Sequence, residues 1–224
     1  MARTFCATPN RLKEASVVNR KGERGFTLIE VIVAIAVVAI LAGIITPSVI
    51  KHIDDSKRAR AQNDCLVIGS TLASFYKDVA RMPNMNAAGA VGITLLVSDG
   101  NIPTGVAGWR TATTAGTCDL LSNHMSANTP KAQTTNVYPT VATAPGSEFV
   151  WRGPYQANFP ADPWGNRYAV NMGNMTSVNP ALSNAVWVLS AGPDGIIQTA
   201  VNPAAPAAGT TLAASGDDIV YRIK

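Results

Sequence analysis

From Val31 to Ile50 the chain reads VIVAIAVVAILAGIITPSVI, twenty residues without a charge. At about 1.5 Å of rise per residue, a helix of that length crosses the roughly 30 Å hydrocarbon core of a bilayer. Beyond Lys51, charges, Gly, Pro, Asn and Thr interrupt every few residues, and no second run approaches this length. The remaining sequence is long enough for one domain with its own core, so the expected organisation is one anchor and one head. Glu30 stands directly in front of the uncharged run. An ionised carboxylate in apolar surroundings is costly unless paired, and intramembrane acids tend to mark function.

The net charge of +4 invites a nucleic-acid reading, but the excess lies entirely before Phe26. Arg3, Arg11, Lys13, Arg20, Lys21 and Arg24 face only Glu14 and Glu23 there, and the rest of the chain holds twelve basic and twelve acidic residues. A neutral head has no electrostatic footprint for nucleic acid. The basic leader fits topology instead: segments rich in Lys and Arg stay cytoplasmic, which sends the head across the membrane. Lys51, Lys57, Arg58 and Arg60 on the other flank weaken this asymmetry, partly offset by Asp54 and Asp55. An ordinary secretory signal is cut after its apolar region. Here the small residue, Gly25, precedes that region, so a cut there discards the charges and keeps the helix.

The string Gly25-Phe26-Thr27-Leu28-Ile29-Glu30, set between a short basic leader and the apolar run, resembles the class III signal of type IV pilins and pseudopilins. The resemblance implies an α+β, type IV pilin-like fold. A long N-terminal helix, half membrane-embedded and half amphipathic, packs against a small antiparallel sheet of about three strands. It also implies cleavage between Gly25 and Phe26 by a prepilin peptidase, N-methylation of Phe26, and an assembly role for Glu30, which meets the N-terminal amine of a neighbouring subunit. Such a pair sets register more than it adds stability. Pro47 removes one helical hydrogen bond, and a bend or local melting is expected near it.

Helical periodicity continues past Lys51, with Ala61, Cys65, Ile68, Leu72, Phe75 and Val79 on one face and a stop at Arg81-Met82-Pro83. Residues 87–99 read as a second short helix, and a weak helix is expected around Asp119 to Met125. Strand character appears at Arg167–Met172, Ala185–Ser190 and Asp218–Ile223. Residues 198–216 are low in complexity and read as a flexible surface loop. The expected divisions are a leader (1–25), a transmembrane and filament-core helix (26–50), its amphipathic continuation (51–83) and a head (84–224) with variable insertions at 105–147 and 198–216.

FPADPWGNRYAV (Phe159 to Val170), LSAGPDG (Leu189 to Gly195), GDDI (Gly216 to Ile219) and YKDVARMPN (Tyr76 to Asn84) are similar to motifs of the major pseudopilins of type II secretion. That resemblance implies calcium held by Asp194, Asp217 and Asp218, with carbonyls near Leu189 and Ser190 filling an oxygen shell. The connection from Gly195 to Asp217 is much longer than is usual in that group, though loop closure costs grow only slowly with length.

Cys6 leaves with the leader, and the spacing of Cys65 and Cys118 does not decide whether they pair; Cys65 on the apolar stripe reads as a small buried hydrophobe. His52 and His124 fit no metal-ligand spacing, and HExxH, GxSxG, P-loop and CxxC patterns are absent. The leading expectation is a structural subunit, not an enzyme, that polymerises into a periplasmic pseudopilus and supports export of folded proteins. Its implied partners are its own copies, prepilin peptidase, minor pseudopilins and an inner-membrane assembly platform. The alternatives are a type IV pilin of a surface fibre, which shares the signal but often carries a C-terminal disulfide loop missing here, and a membrane-anchored ligand-binding or enzymatic domain.

Overall fold

The computed structural model describes residues 25–105, 109, 116–142, 148–172, 187–200 and 214–223. They fall into two units, one ending at Val49 and the other beginning at Ile50. Helix α1 runs from Leu28 to Val79, 52 residues, and contributes to both. In the first unit its side chains are exposed throughout. This is the one described helix long and apolar enough to cross a membrane, and its uncovered Val, Ile and Leu surface is stable only against lipid or other apolar helices. The helix is unbroken at Pro47, so the expected melting does not occur. The hydroxyl of Thr46 donates to the carbonyl of Ala42 at 2.6 Å, one turn back, beside the hydrogen bond that the proline removes.

In the second unit the expected stripe is the buried face of α1: Ala61, Cys65, Ile68, Leu72, Phe75 and Val79 are all at most 5 % exposed. They pack on a five-stranded sheet ordered β3-β1-β4-β5-β7. The strands are β1 (Leu95–Val97), β3 (Cys118–Leu120), β4 (Ala169–Asn171), β5 (Trp187–Ser190) and β7 (Ile219–Arg222). A two-stranded ribbon joins β2 (Thr104–Gly105) to β6 (Ile196–Ile197). The three strands expected from the sequence are β4, β5 and β7, antiparallel neighbours. The sheet extends beyond them through β1, antiparallel to β4, and β3, parallel to β1, so it is mixed.

The expected helix over 87–99 is not there. Residues Met85 and Val91 form an isolated bridge around a turn, and the chain then enters β1. Leu95 to Val97 is a short apolar run buried on both faces, a pattern that a buried helix segment shares. The weak helix near 119–125 resolves into β3 followed by the short helix α2 (Leu121–Met125). Most of the 198–216 loop and part of the 105–147 tract lie outside the described residues.

Register explains which residues meet the helix. Leu96, Val170, Val188 and Tyr221 form one row across β1, β4, β5 and β7. Since side chains alternate between faces, the row shares one side, and Leu96, Val170 and Val188 belong to the cluster that includes the α1 stripe. Tyr221 fits because position 69 is glycine: a Cβ there would collide with the tyrosine ring. The Tyr168 hydroxyl adds a polar tie, donating to Asp64 Oδ2 on α1 at 2.9 Å. The opposite face holds a second cluster with Leu95, Val97, Cys118, Ala169, Trp187 and Leu189. Cys65 and Cys118 are both free and buried, one in each cluster.

A polar network pins α2. His124, fully buried, has Nδ1 2.7 Å from the Tyr138 hydroxyl and Nε2 2.9 Å from Asp119 Oδ2. Asp119 can only accept, so Nε2–H donates to it, and with the imidazole kept neutral by burial Nδ1 accepts from the Tyr138 hydroxyl, whose oxygen accepts the Met85 amide. Burial pushes the His124 pKa down, against the pull of Asp119, and Asp119 is held low by its hydrogen bonds despite its own burial. In the folded state His124 binds its proton later than the unfolded chain does, so acid favours unfolding once pH drops below the unfolded histidine value of about 6.5. Melting temperatures of the detergent-solubilised chain are expected to fall between about pH 6.5 and 5, and that slope is expected to shrink in a His124→Leu variant. An equal slope in both would remove His124 as its source.

Candidate functional site

The N-terminal segment is built around the start of α1. Residues 25–27 are non-helical and exposed, and the helix opens at Leu28. Thr27 is its cap: the Thr27 Oγ1 accepts the amide of Glu30 at 3.2 Å. Thr27-Leu28-Ile29-Glu30 has the sequence of a capping box, in which the residue at the third helical position is an acid or amide. Glu30 is therefore fixed in the first turn, where a carboxylate is favoured by the positive end of the helix dipole. Gly25 and Phe26 sit just ahead of it on exposed, non-helical backbone, Phe26 82 % exposed. The sequence identified Glu30 but missed Thr27 as the residue that places it; the T-x-x-E spacing was the available signal.

The second candidate is the acidic corner where β5, β6 and β7 meet. The Gly192–Gly195 turn brings Asp194 beside Asp217, whose Oδ2 accepts the Asp194 amide at 3.4 Å. Asp194 accepts from the Ile196 amide and from Gln198 Nε2 at 2.8 and 3.0 Å. Asp218 Oδ2 accepts the amides of Gln198 and Thr199 at 2.9 and 2.6 Å. Gly192 is at φ 67, and a side chain there would strike the Asp217 carbonyl, so the close approach requires glycine. The three predicted acids are thus brought to one corner. Gln198 and Thr199 join them, which the low-complexity reading of that stretch did not anticipate. Leu189 and Ser190 lie in β5, opposite Val220 and Ile219, and the Ser190 hydroxyl goes to Asp162 rather than toward the corner.

Two oxygens here, Asp217 Oδ1 and Asp218 Oδ1, are buried with no hydrogen-bond partner. Burial pushes the Asp218 carboxyl above its usual range, against the hydrogen bonds from Thr199 and Gln198, and the adjacent Asp217 charge adds to the rise. Such orphaned acceptors fit a hard cation. Among the described residues, no three His, Cys, Asp or Glu side chains converge closely enough to hold a metal on their own.

The D-P-W-G-N turn serves the head's architecture. Asp162 is buried; its Oδ1 accepts the amides of Trp164 and Asn166 at 3.0 and 2.8 Å, and its Oδ2 accepts the Ser190 hydroxyl at 2.7 Å.

Comparison with known proteins agrees with both ends of the chain. Residues 20–46 match the prokaryotic N-terminal methylation motif. The type II secretion system core protein G of Escherichia coli K12 is 25 % identical over 177 residues, covering 79 % of this chain and 86 % of that protein. Core protein G of Klebsiella michiganensis is 23 % identical, covering 79 % of this chain and 88 % of its own. The one from Pectobacterium carotovorum is 24 % identical over 78 % of each. No solved structure matches the chain. By its signal and by its long helix laid on a small mixed sheet, the chain is type IV pilin-like, and it is similar over most of its length to the core protein G of type II secretion systems.

Proposed function

We propose that this chain is a structural subunit that polymerises through α1 into the pseudopilus of a type II secretion system and supports export of folded proteins across the outer membrane. The observation that carries it is the capped start of α1: Glu30, fixed by Thr27, heads an apolar helix with no cover of its own, directly behind an exposed Gly25-Phe26 bond. A prepilin peptidase cuts that bond, Phe26 is N-methylated, and the new amine of one copy meets Glu30 of another. The chain is anchored in the inner membrane by residues 26–50 with its head in the periplasm, and minor pseudopilins and an inner-membrane platform assist assembly. It carries out no reaction itself. The test is the intact mass and N-terminal sequence of protein extracted from its native membrane. A chain starting at N-methylated Phe26 supports the reading, and one retaining Met1 or Ala2 in a host with active peptidase overturns it.

The acidic corner is proposed as a calcium site that locks β6 and β7 against the Gly192–Gly195 turn, supported by the orphaned oxygens of Asp217 and Asp218. At a hundredfold excess over Kd a native-state ligand stabilises by about 2.7 kcal/mol, or roughly 5–10 °C for a domain of this size. Calcium is expected to raise the melting temperature of the solubilised chain by that amount, and Asp194→Ala or Asp218→Asn to abolish the rise. Unchanged melting of the unmutated chain on adding calcium would remove the ion from the account.

A further inference from the structure

Among the described residues, the sheet face turned away from α1 is open at its β3 end. A groove of about 350 Å³ lies there, with Val97, Leu120 and Ala132 as apolar wall and Lys131 and Arg167 as cations. Its acid, Asp119, is fully committed: Oδ1 accepts from the Leu120 amide and Asn123, and Oδ2 from His124 and the Lys131 amide. The two cations contact only neutral acceptors. Lys131 Nζ donates to the Cys118 carbonyl at 2.6 Å, and Arg167 Nε to the Gly100 carbonyl at 2.8 Å. Among the described residues neither is in an ion pair. Both act on one spot, since burial drives the Cys118 thiol up to about 11 while Lys131 and Arg167 each pull it down.

The backbone is strained to achieve this. Lys131 and Ala132 stand in succession in the left-handed region, φ 55 and 57, a conformation that favours glycine. The turn over Pro130–Ala132 thereby lays an ammonium along β3, an edge strand among the described residues, with no counter-charge among them.

The same chain presents a matching surface. Glu148 is exposed, and the next residue, Phe149, is 57 % exposed, the most exposed described aromatic beyond α1. An acid beside a bare ring complements two cations beside an apolar wall. We propose that the groove takes the Glu148-Phe149 loop of a second copy of this chain, the carboxylate between Lys131 and Arg167 and the ring on Val97 and Leu120. Because groove and loop are different patches, the contact is heterologous and propagates from copy to copy, as an open filament of one subunit requires. This inference rests on the filament reading above and adds a head-to-head contact to the helical one.

The experiment uses the full chain in its native host with Cys65→Ser and Cys118→Ser, carrying Lys131→Cys and Glu148→Cys, alongside Glu148→Lys and Lys131→Glu in the otherwise native chain. A disulfide ladder of dimers and higher multiples is expected under mild oxidation. Filament yield is expected to fall by roughly fivefold or more in each charge reversal, as loss of about 1 kcal/mol at a repeated contact implies, and to recover when the two are combined. Glu148 lies on an exposed loop, so its reversal leaves folding intact, which the melting temperature verifies. Cross-linking confined to monomers, wild-type filament yield from Glu148→Lys, or no recovery in the combined variant each overturns the contact while leaving the filament reading in place. Absence of filaments from the unmutated chain, with Phe26 unprocessed, overturns that reading itself.

Discussion

Glu30→Leu is expected to leave the subunit inserted and the Gly25-Phe26 bond cleavable while reducing filament yield by roughly tenfold or more, as removal of one partner from a desolvated ion pair implies. Leucine extends the apolar run and is the better residue for lipid, so a defect cannot come from poor insertion. The helix start also survives, since it is the main-chain amide of residue 30 that donates to Thr27. What disappears is the carboxylate. Glu30→Gln separates the two roles of the side chain, because an amide at the third helical position still completes a capping box but carries no charge. If charge pairing drives assembly, glutamine fails as leucine does. Wild-type filament yield from Glu30→Gln would sink the ion-pair account and leave helix capping as the reason for an acid at this position.

Asp162→Ala is expected to cost about 3–5 kcal/mol, because one buried carboxylate holds three donors and each hydrogen bond to a charged acceptor is worth roughly 1.5–3 kcal/mol, less what water recovers. For a domain of this size that lowers the melting temperature by roughly 6–20 °C. The loss propagates, since the amides of Trp164 and Asn166 and the hydroxyl of Ser190 lose their acceptor together, and Ser190 is the residue through which β5 meets the turn. Asp162→Asn keeps an acceptor for the turn and is expected to be milder. A loss below about 1 kcal/mol in the alanine variant would mean that water replaces the carboxylate and that the turn is held by Trp164 packing instead.

What the sequence disclosed and what it hid divide along the range of the interactions. The α1 stripe was legible because periodicity is a local property, and all six expected residues are buried. Strands β4, β5 and β7 were legible because AVN, WVLS and IVYR carry β-branched and aromatic residues between turn signals. Strand β1 was misread because LLV, buried on both faces, lacks the alternation that marks a half-exposed strand. The His124 network was invisible: Asp119, His124 and Tyr138 each look ordinary, and only the fold brings Asp119 and Tyr138 each within 3 Å of a His124 ring nitrogen. The acidic corner was half read, since the aspartates come from short motifs whereas Gln198 and Thr199 reach them from across the loop.

The cap at Thr27 has a consequence for maturation. Thr27 and Glu30 both lie on the retained side of the Gly25-Phe26 bond, so the residues that make the cap stay together after the proposed cut. Before the cut, a neutral peptide group precedes Phe26. After it, an ammonium stands two residues ahead of a helix whose own terminus already presents about half a positive charge. The proposed cleavage is therefore a charging step: it raises the electrostatic energy of the helix tip, which a carboxylate arriving from another chain would discharge. In the proposed pathway the protease thereby arms each subunit at the moment of releasing it.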